Sequence, residues 1–245
     1  MAERFFLFFL LSHFFSVLTL VCAYKGPNLL TDLRSLVLEV VSVLAAYLKG
    51  RWTQSAKTKQ PTKKKPTMGY PDIAVFDLDY TIWPCYCDTH INPPFSPVKS
   101  SNGEIRTLVD SHGFEISPFK DVFKILLDLK KNNVKLLSAS RTWAPDIAIA
   151  MLKKFIVVDP ETNEKHTMFE LFDDCQWGEM SKVNHIRNGL KEIYPSKSQT
   201  LQDYSIVLYD DESRNKDVEK YGVKFMYLRD PEKGVTWEIY QKSLK

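Results

Sequence analysis

Beyond residue 67 this chain has only three cysteines, Cys85, Cys87 and Cys175. An odd number without framework spacing argues against a disulfide-stapled secreted fold. Cys85-x-Cys87 lacks a second Cys/His pair at suitable spacing, so no zinc site is expected. Positive charge is also scarce where a domain could use it. Residues 1–67 hold ten Lys/Arg against three Asp/Glu, whereas the remainder holds 23 against 27. The larger part is therefore net negative, and with no zinc-finger or aromatic-basic pattern it offers nucleic acid no footing. At 245 residues, 44% hydrophobic and 26% charged, the chain suffices for one well-buried α/β domain with a segment attached.

That segment is the first 67 residues. Phe5 to Val21 is an apolar run after Arg4, and V-C-A ending at Ala23 resembles a small-residue cleavage site, the pattern of a signal peptide or signal anchor. Leu29 to Leu48 carries Asp32, Arg34 and Glu39, which favours an amphipathic interfacial helix over a second span. Arg51 to Pro66 has six basic residues, no acids and two prolines, as a solvated linker would. Contact with anionic lipid or a nuclear signal are its other readings. Met68 stands immediately before G-Y-P-D-I-A-V-F-D and is a second candidate start. Residues 1–67 are thus read as a hydrophobic leader plus basic linker (signal-like, an anchor, or a misassigned extension) and 68–245 as the folded domain. Cytoplasm is the favoured compartment, with the nucleus in addition. Secretion or membrane anchoring through residues 5–21 is the alternative.

Within the folded domain, Ala74 to Pro84 reads A-V-F-D-L-D-Y-T-I-W-P. Ile73–Phe76 has the character of a buried strand, and residues two apart on an extended segment point the same way. Asp77 and Asp79 can therefore leave the strand end toward one site. Two acids there repel unless a cation or shared proton intervenes, which suits a Mg²⁺ site with a carboxylate nucleophile and an acid/base partner. A second apolar strand, Lys135 to Ala139, ends in Ser140, Arg141 and Thr142, where a hydroxyl and a guanidinium could hold a phosphoryl group. Lys182 opens a helical pattern. A third strand, Ile206 to Tyr209, ends in Asp210, Asp211 and Glu212, followed by Ser213, Arg214 and Asn215.

These four pieces, in this order, resemble the motifs of the haloacid dehalogenase (HAD) superfamily. F-D-L-D-Y-T-I-W-P, D-T-H, A-S-R-T, S-K and D-D-E-S-R-N are closer still to its magnesium-dependent phosphatase family. Y-G-V-K-F and R-D-P-E near the C-terminus are similar to fungal-type members. The resemblance covers about Gly69 to Lys245 and implies a phosphomonoester hydrolase acting through an aspartyl-phosphate. Asp77 would be the nucleophile and Asp79 the acid/base. Mg²⁺ would be held by the Asp77 carboxylate, the Asp79 backbone carbonyl and one of the downstream acids. The resemblance places that ligand on Asp211, leaving Asp210 to orient Lys182 or a metal-bound water from behind, with Asn215 in the same supporting layer. Ser140, Arg141, the Leu78 N–H and the Lys182 ammonium would surround the phosphoryl oxygens. Arg141 as a surface ion pair and Lys182 as an exposed helix residue are the plainer alternatives. The Thr81 hydroxyl either orients Asp77 or caps the turn. Tyr80, Trp83, Asp88, Thr89 and His90 either face the leaving group or simply pack.

Strands alternating with helical patterns at Lys120–Asn132, Pro145–Lys154, Lys182–Tyr194, Ser213–Tyr221 and Val235–Leu244, plus a strand at Val223–Leu228, imply an α/β fold. Its parallel sheet would be Rossmann-like and HAD-like, with helices on both faces. Only about Cys85 to Pro118 separates the first two motifs. There Asn102-Gly103 between E-I-R-T-L-V and an upstream run reads as a small β-hairpin flap instead of a large cap domain. An open site follows, suited to hydrolysis and to bulky esters. Resembling enzymes are credited with phosphotyrosine and sugar-phosphate hydrolysis, so a phosphoprotein or a phosphorylated small molecule is the expected partner of an expected monomer. The competing classes are a phosphate-recognition module without turnover, a dehalogenase and a membrane-tethered phosphatase.

Overall fold

The computed structural model describes residues 69–244 apart from residue 199. The readings placed on the leader, the interfacial helix, the basic run and a start at Met68 all lie outside the described residues.

The architecture follows from a fully apolar first strand. In β1 (Ile73–Phe76) all four side chains are buried, the pattern of a strand covered on both faces. Alternation sends Ala74 and Phe76 into one core and Ile73 and Val75 into another. On the first side the core is completed by α1 (Val122–Lys131), α2 (Pro145–Lys154) and α5 (Trp237–Ser243), through residues such as Phe123, Leu126, Met151 and Tyr240. On the second, Val183, Ile186 and Leu190 of α4 (Lys182–Ile193) pack with Val218 of the 3-10 segment Ser213–Tyr221. The helices are thus on both faces, as expected.

β1 is the centre of a five-stranded sheet ordered β10 (Val223–Tyr227), β9 (Ile206–Asp210), β1, β5 (Lys135–Ala139) and β8 (Asp174–Gln176). All four pairings are parallel, with Ile73 in register with both Lys135 and Ile206. Parallel strands end at one edge, so the residues following β1, β5 and β9 are delivered side by side, where the chain order reverses.

The flap is larger than expected. Asn102-Gly103 does turn an antiparallel hairpin, β2 (Ser96–Lys99) with β3 (Ile105–Val109), and Gly103 has φ +83°. β4 (Glu115–Ile116) adds to β3, but so does β6 (Ile156–Val158), which carries β7 (Lys165–Thr167). The flap is therefore a second sheet assembled from segments on either side of β5. Strands of three residues show no readable periodicity, which is why β6, β7 and β8 escaped the sequence reading. The short α3 (Met168–Leu171) has a capping box between Thr167 and Glu170. Ser213–Tyr221, read as a helix, is a 3-10 helix closed by Gly222 at φ +80°. The other helices match or are trimmed by one or two residues at their ends.

Gly234 locks the C-terminal segment onto the loop after β1. Its φ is +53°, a Cβ built there would lie 2.1 Å from the Phe119 ring and 2.7 Å from the Thr81 carbonyl, and Val235 N–H donates to that carbonyl at 3.1 Å. Gly234→Ala is expected to cost about 1–3 kcal/mol and to lower the thermal midpoint by about 2–12 °C, as differential scanning calorimetry would read.

Candidate active site

The site begins where β1 ends. Asp77 N–H still bonds to Tyr209 O at 3.0 Å, continuing the ladder, and the chain then turns tightly. The N–H groups of Thr81, Ile82 and Trp83 all point to Leu78 O, Tyr80 N–H bonds to Trp83 O at 2.8 Å, and Tyr80 takes φ +53°. A left-handed tyrosine costs conformational energy, held here by the hydrogen bonds around it. The turn leaves Asp77 and Asp79 on one cleft of about 200 Å³, shared with Ser140, Arg141 and Thr142 after β5 and with Asp211 and Glu212 after β9. Tyr86, Asp88, Trp143, Glu179 and Arg214 complete the cleft lining, and Trp143 (75%) and Tyr86 (48%) are exposed.

Behind this surface lies a buried charge cluster. Ser181 Oγ caps α4 by accepting from Asn184 N–H, which makes Lys182 the first helical residue and turns it inward, fully buried. Its ammonium lies 3.0 Å from Asp77 Oδ2 and 3.1 Å from Asp210 Oδ2, and donates to Ala139 O at 2.5 Å. Three donors thus meet three acceptors. A phosphoryl oxygen reaching Lys182 would have to displace one of these, and Asp77 Oδ2 is the acceptor on the cleft. Burial lowers the Lys182 pKa, but Asp77 and Asp210 outweigh it and the net shift is upward. Burial pushes Asp77 up to about 7 against the pull of Lys182, with Asp210 adding to the rise. Asp211 is raised to about 6 by burial and then by Asp210. His185, behind the same cluster, is held down to about 4 by burial and by Lys182.

The predicted residues separate by depth. Asp210 is fully buried and engaged on both oxygens: Asn215 Nδ2 donates to each at 2.9 Å and Glu212 N–H to Oδ1 at 2.8 Å. Asp211 instead lines the cleft. Asn215 also accepts from Arg141 Nη2 at 2.7 Å, and Arg141 Nε donates to Met180 O at 2.9 Å, so the guanidinium is anchored at the cleft by residues after β9 and before α4. Ser140 Oγ accepts from Thr142 N–H at 3.3 Å. Leu78 N–H, expected to face a phosphoryl oxygen, donates to Asp77 Oδ1 at 2.8 Å. Thr81 makes neither bond foreseen for it, because among the described residues its buried Oγ1 has no hydrogen-bond partner.

The sequence reading left undecided the residues that hold Asp79. Trp83 Nε1–H donates to Asp79 Oδ1 at 2.7 Å and Cys87 N–H to the same oxygen at 3.2 Å. Burial raises the Asp79 pKa, opposed first by Trp83 and then by Cys87. The only signal in the sequence was the placement of Trp83 four residues after Asp79, which suits packing equally well.

Asp77, Asp210 and Asp211 each offer a carboxylate oxygen, all within 4.8 Å of one another. Hard, anionic oxygen donors on a cleft suit a small dication such as Mg²⁺. Because Asp210 is fully buried while Asp77 and Asp211 line the cleft, the carboxylates that an ion entering the cleft would meet are Asp77 and Asp211.

Comparison with known proteins points to the same stretch. A Saccharomyces cerevisiae protein provisionally named a magnesium-dependent phosphatase is 57% identical over 181 residues, covering 72% of this chain and 97% of its own. A Schizosaccharomyces pombe HAD-like hydrolase superfamily protein is 39% identical over 158 residues, 64% of this chain and 85% of its own. Human magnesium-dependent phosphatase 1 is 32% identical over 160 residues, 65% of this chain and 78% of its own. The acid phosphatase family model matches residues 69–245, a span that includes every strand-end carboxylate described above, and the chain therefore belongs to the acid phosphatase family.

Proposed function

We propose that this protein is a Mg²⁺-dependent phosphomonoester hydrolase in which Asp77 is the nucleophile and Asp79 the acid/base. The observation that carries this reading is the pairing of Asp77, held by Leu78 N–H and Lys182 on the cleft floor, with a second buried carboxylate, Asp79, on the same cleft. The Asp77 carboxylate attacks phosphorus, and the bond to the leaving oxygen breaks with its electron pair on that oxygen, which takes a proton from Asp79. A water then attacks the phosphorus of the aspartyl-phosphate and gives its proton to Asp79, releasing inorganic phosphate and the free Asp77 carboxylate. Lys182 offsets the negative charge on Asp77 and Asp210, and Arg141, anchored by Asn215, clamps the transferred group with Ser140. Bound Mg²⁺ would be held by the Asp77 carboxylate, the Asp79 backbone carbonyl and Asp211, and supplies positive charge to the phosphoryl oxygens. The magnesium dependence in the names of two relatives supports that ion, and the family match beginning at residue 69 supports 68–245 as the phosphatase unit.

An open cleft bordered by exposed Trp143 and Tyr86 favours flat, bulky leaving groups over compact aliphatic ones. Phosphotyrosine in a peptide is then expected to exceed a sugar phosphate in kcat/KM. Hydrolysis of an aryl phosphate by the purified protein with Mg²⁺ or with EDTA tests the reading as a whole. EDTA should abolish turnover, and undiminished turnover would refute it.

The raised carboxylates also predict how metal binding depends on pH. Asp77 and Asp211 carry protons in the fold up to about 7 and about 6, far above the ordinary 3.8. Through that window the folded state binds more protons than the unfolded one, so these two groups lower metal-free stability as pH rises. A dication needs them ionised. The increase in thermal midpoint produced by a fixed Mg²⁺ concentration should therefore be larger at pH 8 than at pH 5.5, and equal increases at both would count against these two residues as the ligands.

A further inference from the structure

Asp79 has two carboxylate oxygens, and the structure treats them differently. Oδ1 accepts two N–H donors, the Trp83 indole at 2.7 Å and the Cys87 backbone at 3.2 Å. Near Oδ2 lies the Cys87 thiol, at 3.9 Å, which is itself 3.2 Å from Thr142 Oγ1. An oxygen that already accepts two N–H bonds is a poor place for a proton, because a hydroxyl there would turn its hydrogen toward two others. A weak S–H donor at 3.9 Å imposes no such conflict.

Trp83 is built to hold this arrangement. Its side chain is fully buried, tilted against the Phe155 ring at 6.4 Å between centroids, so the indole cannot easily rotate away. Its backbone is tied to the same turn: Trp83 O accepts from Tyr80 N–H, Trp83 N–H donates to Leu78 O, and Asp79 and Trp83 form an isolated parallel bridge. The turn that presents the acid thus also carries the group that fixes it.

We propose that Trp83 is a positioning residue for the leaving-group proton: by occupying Oδ1 of Asp79 it confines the transferable proton to Oδ2 and fixes the carboxyl rotamer that presents it. This rests on Asp79 acting as the acid in phosphoryl transfer to Asp77. During that step the leaving oxygen takes the Oδ2 proton as its bond to phosphorus breaks, and Oδ1 keeps its two donors. Loss of the indole donor frees the carboxyl to rotate or to protonate on the wrong oxygen. Protonation of the leaving group then lags bond breaking, and the rate becomes more dependent on how well that group leaves unprotonated.

The test is kcat/KM for a series of substituted phenyl phosphates, from p-nitrophenyl to phenyl, with the wild type, Trp83→Phe and Asp79→Asn, each at saturating Mg²⁺. kcat/KM reports steps up to phosphoryl transfer, and the ratio between two substrates does not depend on the fraction of enzyme folded. Trp83→Phe is expected to lose at least ~10-fold more on phenyl phosphate than on p-nitrophenyl phosphate, part of the ~10²–10⁴-fold that general acid catalysis commonly contributes. Should Trp83→Phe fail to fold, β-(3-benzothienyl)alanine incorporated at position 83 keeps the ring shape and removes only the N–H. An equal loss on every substrate, or no loss, overturns the proposal, provided that Asp79→Asn steepens the series. If Asp79→Asn itself shows an equal loss throughout, the acid role of Asp79 fails, and the proposal falls with it.

Discussion

Asp77→Asn is expected to reduce phosphatase turnover by ~10⁴-fold or more, since removal of a covalent nucleophile from a concerted site leaves only the residual contribution of binding and electrostatics. The fold should survive. Asn is nearly isosteric, its single amide oxygen can accept from Leu78 N–H in place of Oδ1 or from the Lys182 ammonium in place of Oδ2 but not both, and Lys182 keeps Asp210 and Ala139 O as partners. Burial already disfavours the ionised form of Asp77, so removing that charge should leave the thermal midpoint in EDTA unchanged or raised. Steady-state kinetics and calorimetry on the same preparation decide the matter. Wild-type turnover from a folded Asp77→Asn protein would exclude the proposed nucleophile.

Lys182→Met should affect both stability and activity. Its ammonium is the shared partner of two carboxylates, at 3.0 and 3.1 Å, in a fully buried position. Removing one member of a buried ionic cluster leaves uncompensated charge and costs about 3–5 kcal/mol, which corresponds to about 6–20 °C in thermal midpoint for a domain of this size. Removing Asp210 as well distinguishes charge from packing. The double variant Lys182→Met/Asp210→Asn should recover part of the lost stability, because one of the stranded carboxylates is gone, while turnover stays low for want of a cation beside Asp77. A double variant whose stability loss is the sum of the two single losses would show that the cost lies in packing and not in unpaired charge.

How much of this was legible in the sequence depended on the range over which each residue acts. β1 and β5 were readable to the residue, because a short, mainly apolar run, I-A-V-F in one and K-L-L-S-A in the other, followed by chemistry-bearing residues suits a buried strand that ends at a site. α1 was nearly so, from buried positions at Val122, Ile125, Leu126 and Leu129. The second sheet was not. Its two halves, β2 to β4 and β6 with β7, are joined by one long-range pair, Ile105 with Ile156, and a three-residue strand such as β6 is defined by its partner more than by its own composition. The same holds for side-chain partners. Asp77, Asp79, Ser140, Arg141, Lys182, Asp210 and Asp211 were all singled out, yet the bond from Arg141 to Asn215 joins residues 74 apart, and nothing local to either one foretells it.

What the sequence determined by itself was the inventory and its placement at strand ends. Apolar runs bounded by polar residues mark where strands stop and put Asp77 and Asp79 just past the end of β1, where the tight turn then brings both to one cleft. What only the tertiary structure decided was which of those groups face the cleft and which lie behind it. Asp210 and Asp211 are neighbours in sequence and indistinguishable by composition. Yet the end of β9 turns one into a fully buried network with Lys182 and Asn215 and the other toward solvent. That division depends on β1 and β10, the parallel neighbours of β9, and on helix α4 packed in the same core, contacts between residues far apart in the chain. Burial and hydrogen-bonding partners, which set the charge state of each carboxylate, come into being only when those elements meet.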